Sequence, residues 1–351
     1  MKPQAYREVD MNAILDIAPA SASVAPALAA GLRRVEQRFR EQLETPIAPV
    51  AELCAHVERY RGKMLRPTLT LLSGMAVDPA LAETEIPDAH VTIAAVIEMI
   101  HMATLVHDDV LDEADVRRGG ETVNKRRGNE SAVILGDYLI SKAFHLCSTL
   151  ESQATAMRVG EITSMVCEGE MLQVAGAGRL DLSEREYFQI IERKTAALIA
   201  VACELGALHA ARAESVRVVS SRMYDFGLRL GTAFQIQDDL LDLLGAEQVV
   251  GKPVGRDLEK GKLTLPAIHH LATLSGPARA ASEKLFREGP GSAEGRLAIR
   301  QALERTGSLE YARATASGLV GQAKALLADL PDSPAGASLE ALAGAVISRQ
   351  F

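Results

Sequence analysis

Two short runs in this sequence place three carboxylates within about one helical turn. Val106-His107-Asp108-Asp109-Val110-Leu111-Asp112 closes one long apolar segment, and Phe234-Gln235-Ile236-Gln237-Asp238-Asp239-Leu240-Leu241-Asp242 closes another. In each, the acids at i and i+4 stand on one face with the acid at i+1 beside them. Like charges so placed weaken an exposed helix by about a few tenths of a kcal/mol, and far more when desolvated. One such run reads equally well as a solvated helix end. The same D-D-x-x-D pattern at the ends of two apolar helices calls for a cation that neutralises both. Hard oxygen ligands without convergent Cys or His select Mg²⁺, or Mn²⁺, over Zn²⁺. Magnesium takes about one or two protein carboxylates and completes its octahedron with water and phosphate oxygens. Two carboxylate walls therefore imply two or three Mg²⁺ ions sharing a diphosphate.

The elements that would carry these acids are helical. Leu28, Leu32, Val35 and Phe39 make one apolar stripe and Leu65, Leu69 and Leu72 another. The spacing predicts long helices over about 89–112, 131–150, 154–174, 184–210 and 213–244, then 264–274, 296–306, 309–328 and 337–349. Breaks fall at Gly119-Gly120, Gly128-Asn129, Gly176 to Gly178, Gly251 to Gly255 and Gly289 to Gly291. No segment alternates as a strand should, so the expected fold is all-α, one large helical bundle. Residues 1–20 read as a loosely ordered arm, 21–351 as a single domain, and the part after Ser275 as helical scaffold. Helix 89–112 and the last turns of 213–244 are apolar nearly all round and should be buried. The net charge of −8 disfavours nucleic-acid partners. Cys54, Cys147, Cys167 and Cys203 show no metal or disulfide spacing and read as buried free thiols in a reducing cytoplasm. No apolar core follows Lys2, Arg7, Glu8 and Asp10, so no secretory signal is expected, and the uncharged stretch from Ile17 to Leu32 is too short and too Pro-broken for a membrane span.

A diphosphate needs Arg forks and Lys point charges. Taken alone, Lys63 or Lys252 reads as a surface charge and His101 as a hydrogen-bonded core histidine. Taken in order, the segments form a set: Gly62-Lys63-Met64-Leu65-Arg66-Pro67, Glu98-Met99-Ile100-His101, Arg117-Arg118-Gly119, Lys194-Thr195, and Gly251-Lys252-Pro253-Val254-Gly255-Arg256-Asp257 with Lys262. With the two aspartate runs, this order resembles the trans-prenyltransferases of the polyprenyl synthetase family, from about residue 60 to 270. One departure is Met64, where the family often has a basic residue.

The resemblance implies an isoprenoid synthase type fold around a central cavity and two diphosphate sites. Lys63, Arg66, His101 and Arg118 would hold isopentenyl diphosphate without metal. Asp108, Asp112 and Asp238 would bind Mg²⁺ and through it an allylic diphosphate, with Arg117, Lys194, Thr195, Gln235, Lys252 and Lys262 closing around it. Asp109, Asp239 and Asp242 complete the catalytic set with Lys194 and Lys252. The reaction would be ionisation, condensation and elimination, with the proton leaving to the released diphosphate, so no nucleophile–base pair is required. Chain length should be set along the helix before Asp108. Thr104, Ala103 and Met99 leave or yield space where short-chain members place a ring, and Phe144 or Met171 are further candidates for the tunnel floor. Roughly 20 Å of wall lies between Ala103 and Ala89. An octaprenyl to decaprenyl product is expected, for the ubiquinone side chain. The family further implies a homodimer, with a transient membrane contact at product release. Three alternatives stand beside this reading: a farnesyl or geranylgeranyl synthase, a terpene cyclase, and a non-catalytic regulatory subunit of a synthase.

Overall fold

A computed structural model describes residues 23–58, 62–210, 216–244 and 255–348. The expected arm over 1–20 and the segment carrying Lys252 lie outside the described residues. The chain forms two compact units that interleave in sequence: Met1–Gly160, Val201–Tyr224 and Leu327–Leu342 in the first, and Glu161–Ala200, Asp225–Leu326 and Ala343–Phe351 in the second.

The first unit opens with α1 (Ala25–Leu43), α2 (Ala48–Val57), α3 (Leu65–Val77) and α4 (Asp88–Leu111). Pro26 sits in the first turn of α1, where its missing N–H costs nothing. The α1 stripe is buried as its period requires, with Leu28, Leu32, Val35 and Phe39 each at 3% exposure or less. Every residue of α4 from His90 to Ile100 is buried. By length and composition α4 could cross a bilayer, but 78% of its apolar window is covered by protein, so it is a core helix. Arg38 fixes its start, donating from Nη2 to Asp88 Oδ1 at 2.7 Å. After α4 come a two-residue-per-strand hairpin, β1 (Val116–Arg117) with β2 (Gly120–Glu121), then α5 (Val123–Arg127), α6 (Asn129–Cys147) and the start of α7 (Gln153–Gly176). Among the described residues the hairpin is the one departure from an all-helical reading, too short for any alternation to show in sequence.

The second unit takes the rest of α7 and then α8 (Glu184–Ile191), opened by a capping box between Ser183 and Glu186. The helix expected over 184–210 is not continuous. A π-helical turn over Glu192–Ala196 separates α8 from α9 (Ala197–Ala210). α9 passes into the first unit at Val201, and α10 (Val216–Leu244) begins there and returns to the second from Asp225, with Phe226, Leu230, Ala233, Ile236 and Leu240 buried at 2% or less. The remaining elements are α11 (Arg256–Glu259), α12 (Leu265–Thr273), α13 (Gly276–Glu288), α14 (Ala293–Arg305), α15 (Ser308–Leu327) and α16 (Pro334–Ser348). α13 lies in the stretch read only as scaffold; its single buried residue, Phe286, leaves almost no apolar period to detect. Among the thiols Cys167 corrects expectation, being exposed on the outer face of α7 while Cys54, Cys147 and Cys203 are buried.

Candidate active site

In the first unit the last turns of α4 present two kinds of acid. His101, Thr104, Leu105, Asp108 and Asp112 recur at i, i+3, i+4, i+7 and i+11 and are half-buried, which makes them one partly open stripe. Asp109 points the other way and is 1% exposed. Arg117 Nε donates to its Oδ1 at 2.8 Å, and its backbone carbonyl accepts from Ala114 N–H at 2.9 Å and from Asn124 Nδ2 at 3.2 Å. Asp109 thus roots the hairpin to α4. Arg117, assigned from sequence to the allylic diphosphate, is here the partner of a buried carboxylate.

The basic segments of this unit come together. A Cβ on Gly62 would stand 2.5–2.8 Å from the Arg118 guanidinium, so the two segments touch here and a side chain at 62 would displace the guanidinium. Glu98, 3% exposed, lies one turn before His101 and acts electrostatically on both Arg66 and Arg118. Burial pushes Arg66 down to about 10 against the pull of Glu98, leaving it charged at neutral pH. Burial, with the positive charges of Arg66, Arg118 and Arg117, holds His101 well below the ordinary imidazole value. It is therefore a neutral hydrogen-bonding group. Among the described residues, the non-glycine residues with left-handed backbone are Met64, Glu113 and Arg118, at φ of 50°, 47° and 50°. Met64 and Arg118 lie in segments singled out from sequence and Glu113 directly follows the first aspartate run, and such conformations cost about 1–3 kcal/mol each. Met64 is 2% exposed and packs inward at the start of α3, while its neighbour Lys63 is exposed. Ala103 and Met99 are fully buried, and Thr104 is the candidate length-setting residue on the open stripe. Phe144 is 36% and Met171 63% exposed, on the outer faces of α6 and α7, so neither floors an interior within its own unit.

The second unit repeats the division. Asp238 is half-buried, whereas Asp239 and Asp242 are 5% and 7% exposed. Asp242 accepts from the Asp257 backbone N–H at 3.1 Å and its carbonyl accepts from Gly255 N–H at 2.8 Å, so it anchors the start of α11. Asp239 accepts from Tyr187 Oη at 2.7 Å and from Gln235 Nε2 at 2.8 Å, and Thr195 Oγ1 donates to Gln235 Oε1 at 2.9 Å. Burial, with Asp257 nearby, lifts the Asp239 carboxyl well above the usual carboxylate range. The π turn brings Lys194 and Thr195 into a pocket lined also by Gln235, Asp239, Asp257 and Lys262. Lys194 pairs with Glu170 of α7. Neither Tyr187 nor Glu170 stood out in the sequence, and Glu98, part of a segment singled out there, carried no role. Tyr187 stands seven residues before Lys194, two helical turns away, which is the signal that could have drawn attention to it.

The chain matches the polyprenyl synthetase family over residues 48–303. It belongs to that family. The relationship makes it a prenyltransferase of polyprenyl diphosphate synthase type and extends beyond the motifs. The octaprenyl diphosphate synthase of Escherichia coli (strain K12) is 36% identical over 321 residues, covering 90% of this chain and 94% of the relative. A crystal structure of a decaprenyl diphosphate synthase from Rhodobacter capsulatus superposes with a TM-score of 0.83 at 35% identity, covering 93% and 98% of the two chains. A polyprenyl synthase from Caulobacter crescentus, crystallised with calcium and isoprenyl diphosphate, gives 0.83 at 30% identity over 99% and 100%.

Proposed function

We propose that this prenyltransferase condenses isopentenyl diphosphate head to tail onto an allylic diphosphate and releases an all-trans product of octaprenyl to decaprenyl length, destined for a quinone side chain. The observation that carries the assignment of roles is the division of the six acids. Asp108, Asp112 and Asp238 keep partly open carboxylates, while Asp109, Asp239 and Asp242 are buried against partners of their own. In each run the half-buried acids offer the hard oxygens that Mg²⁺ takes in ones and twos, leaving its other positions to water and phosphate oxygens. When bound, two or three Mg²⁺ ions would neutralise the charge that builds on the departing diphosphate.

The chain's own groups supply the rest. Arg66 and Arg118 grip the isopentenyl diphosphate as charged forks, and His101 donates to it as a neutral ring. Lys63, exposed at the mouth of that segment, adds a point charge. Lys194, Lys252 and Lys262 take the allylic diphosphate, and Thr195 and Gln235 orient it. The apolar wall of α4 keeps water from the allylic cation, and the diphosphate released takes the proton. We assign the working enzyme to the cytoplasm as a homodimer. Support for a homodimer comes from the exposed apolar residues of α6, Val133 at 42%, Ile134 at 67% and Phe144 at 36%.

The test is incubation with isopentenyl and farnesyl diphosphates, with Mg²⁺ and then with EDTA, followed by chromatography of the dephosphorylated products. Linear prenols of eight to ten units, lost on chelation, are the expected outcome. Prenols of three or four units would make it a short-chain synthase, cyclic hydrocarbons a cyclase, and no product a regulatory subunit.

A further inference from the structure

We propose that Tyr187 is a positioning residue for prenyl transfer, acting through Asp239 on Gln235 and Thr195. The proposal rests on the assignment above of Gln235, Thr195 and Asp238 to the allylic diphosphate and its metal. Tyr187 is 3% exposed, and its hydroxyl donates to Asp239 Oδ2 at 2.7 Å. The other oxygen of Asp239 accepts from Gln235 Nε2 at 2.8 Å, and Gln235 Oε1 accepts from Thr195 at 2.9 Å. Four side chains from α8, the π turn and α10 are therefore tied in one line, and three of them, with Tyr187 itself, line the pocket.

The direction of each bond matters. With Oδ2 occupied by the phenol, Asp239 offers Oδ1 to the Gln235 amide, which must turn its NH₂ toward Asp239. Its carbonyl then faces Thr195 and takes the hydroxyl proton. The orientation of both pocket residues thus descends from one phenol. Remove that hydroxyl and Asp239 keeps a buried oxygen without its donor, a costly state that a rotation of the carboxylate would relieve. Rotation would break the bond to Gln235 and disturb the turn that carries Asp238, the adjacent residue on α10. The hydroxyl also meets the Leu265 backbone at the start of α12, a contact that a phenylalanine of nearly the same volume would lose as well.

Tyr187→Phe tests this. We expect kcat to fall about fivefold to a hundredfold, the range set by leaving a buried acceptor without its donor. The Mg²⁺ concentration for half-maximal rate should rise, and KM for isopentenyl diphosphate should stay within about twofold. Tyr311→Phe is the control: Tyr311 also gives its hydroxyl to a carboxylate in the same unit, Glu184 at 2.9 Å, but outside the pocket. Its kinetics should match wild type. The double variant Tyr187→Phe/Asp239→Asn should be no slower than the slower single variant, because both break one line. A lowered melting temperature with unchanged kcat and Mg²⁺ dependence would overturn the proposal, as would additive losses in the double variant. If Phe does not fold at this position, Tyr187→His, which keeps a ring donor, should stay closer to wild type in kcat and Mg²⁺ dependence than Asp239→Asn, and a loss as large as that of Asp239→Asn would overturn the proposal. An inactive wild-type enzyme would overturn the functional reading itself, a different result from an active enzyme indifferent to Tyr187.

Discussion

Neighbouring aspartates in the same motif have opposite surroundings. Asp108 stands half-open on α4, and one residue later Asp109 is closed off by Arg117. Substituting them should therefore fail in different ways. Asp108→Ala or Asp238→Ala should abolish most turnover and leave melting unchanged or slightly raised, since each removes repulsion within its cluster. Asp109→Ala should cost roughly 1.5–3 kcal/mol by chemical denaturation, because it removes the charge-assisted hydrogen bond that ties Arg117 to α4. Near-normal rates in the first pair, or an unshifted midpoint in the last, would reverse these roles. The arginines divide likewise. Arg118→Ala should raise KM for isopentenyl diphosphate about tenfold to a hundredfold with little effect on the allylic primer. Arg117→Ala should lower stability as well as activity, since it anchors the hairpin. The sequence showed six acids at the right spacing but could not rank them. Their ranking depends on Arg117, Tyr187 and the Asp257 backbone, each brought in by a segment folded elsewhere.

At the scale of elements, the two features that shape the site are both local breaks in regular structure. The π turn over Glu192–Ala196 adds its extra residue where Lys194 and Thr195 enter the pocket. The hydrophobic period runs on through it, so the sequence reads as one helix from 184 to 210. α7 lies tightly against this turn. A Cβ on Gly169 would overlap the Lys194 backbone nitrogen and come within 2.8 Å of Arg193 Cβ. Gly169→Ala should thus push the turn outward, costing about 1–3 kcal/mol and a larger share of activity than of stability. Unchanged kcat in that variant would show that the turn tolerates the shift. On α4 the period was legible along its whole length, and the burial of His90 to Ile100 follows from it. What composition could not show is which side stays open above Ile100. Ala103 is fully buried, so a ring there meets packed neighbours; Thr104 shares the open stripe with His101 and Asp108. Thr104→Phe should shorten the product to roughly three to five units while keeping the fold, whereas Ala103→Phe should cost about 1–3 kcal/mol whatever it does to length. Wild-type chains from Thr104→Phe would send the growing tail along another face.

Across the whole molecule, four histidines whose proton affinity is lowered by burial make stability depend on pH. Burial holds His90 down to about 4, opposed by its hydrogen bond to the Gly206 carbonyl and assisted by His209. Among the described residues its Nδ1 has no partner, so a proton there would be buried uncompensated. Burial keeps His101 well below its ordinary value, with Arg66, Arg118 and Arg117 acting in the same sense, and lowers His209 and His270 too. In every case the unfolded chain binds a proton near pH 6.5 that the folded chain refuses. The stabilisation is complete above about pH 6.5 and is lost as pH falls toward the folded values. For His90 alone the loss at pH 5 is roughly 2 kcal/mol. Between pH 7 and 5 the carboxyls of Asp239 and Glu192, both lifted by burial, oppose this loss, and the four histidines outnumber them. The melting temperature should fall steadily across that interval, in both units, since His90, His101 and His209 lie in the first and His270 in the second. His90→Asn, which keeps a donor for Gly206, should flatten part of that slope. A wild-type melting temperature that holds constant from pH 7 to 5 would mean that the buried rings take up their protons without opening the fold.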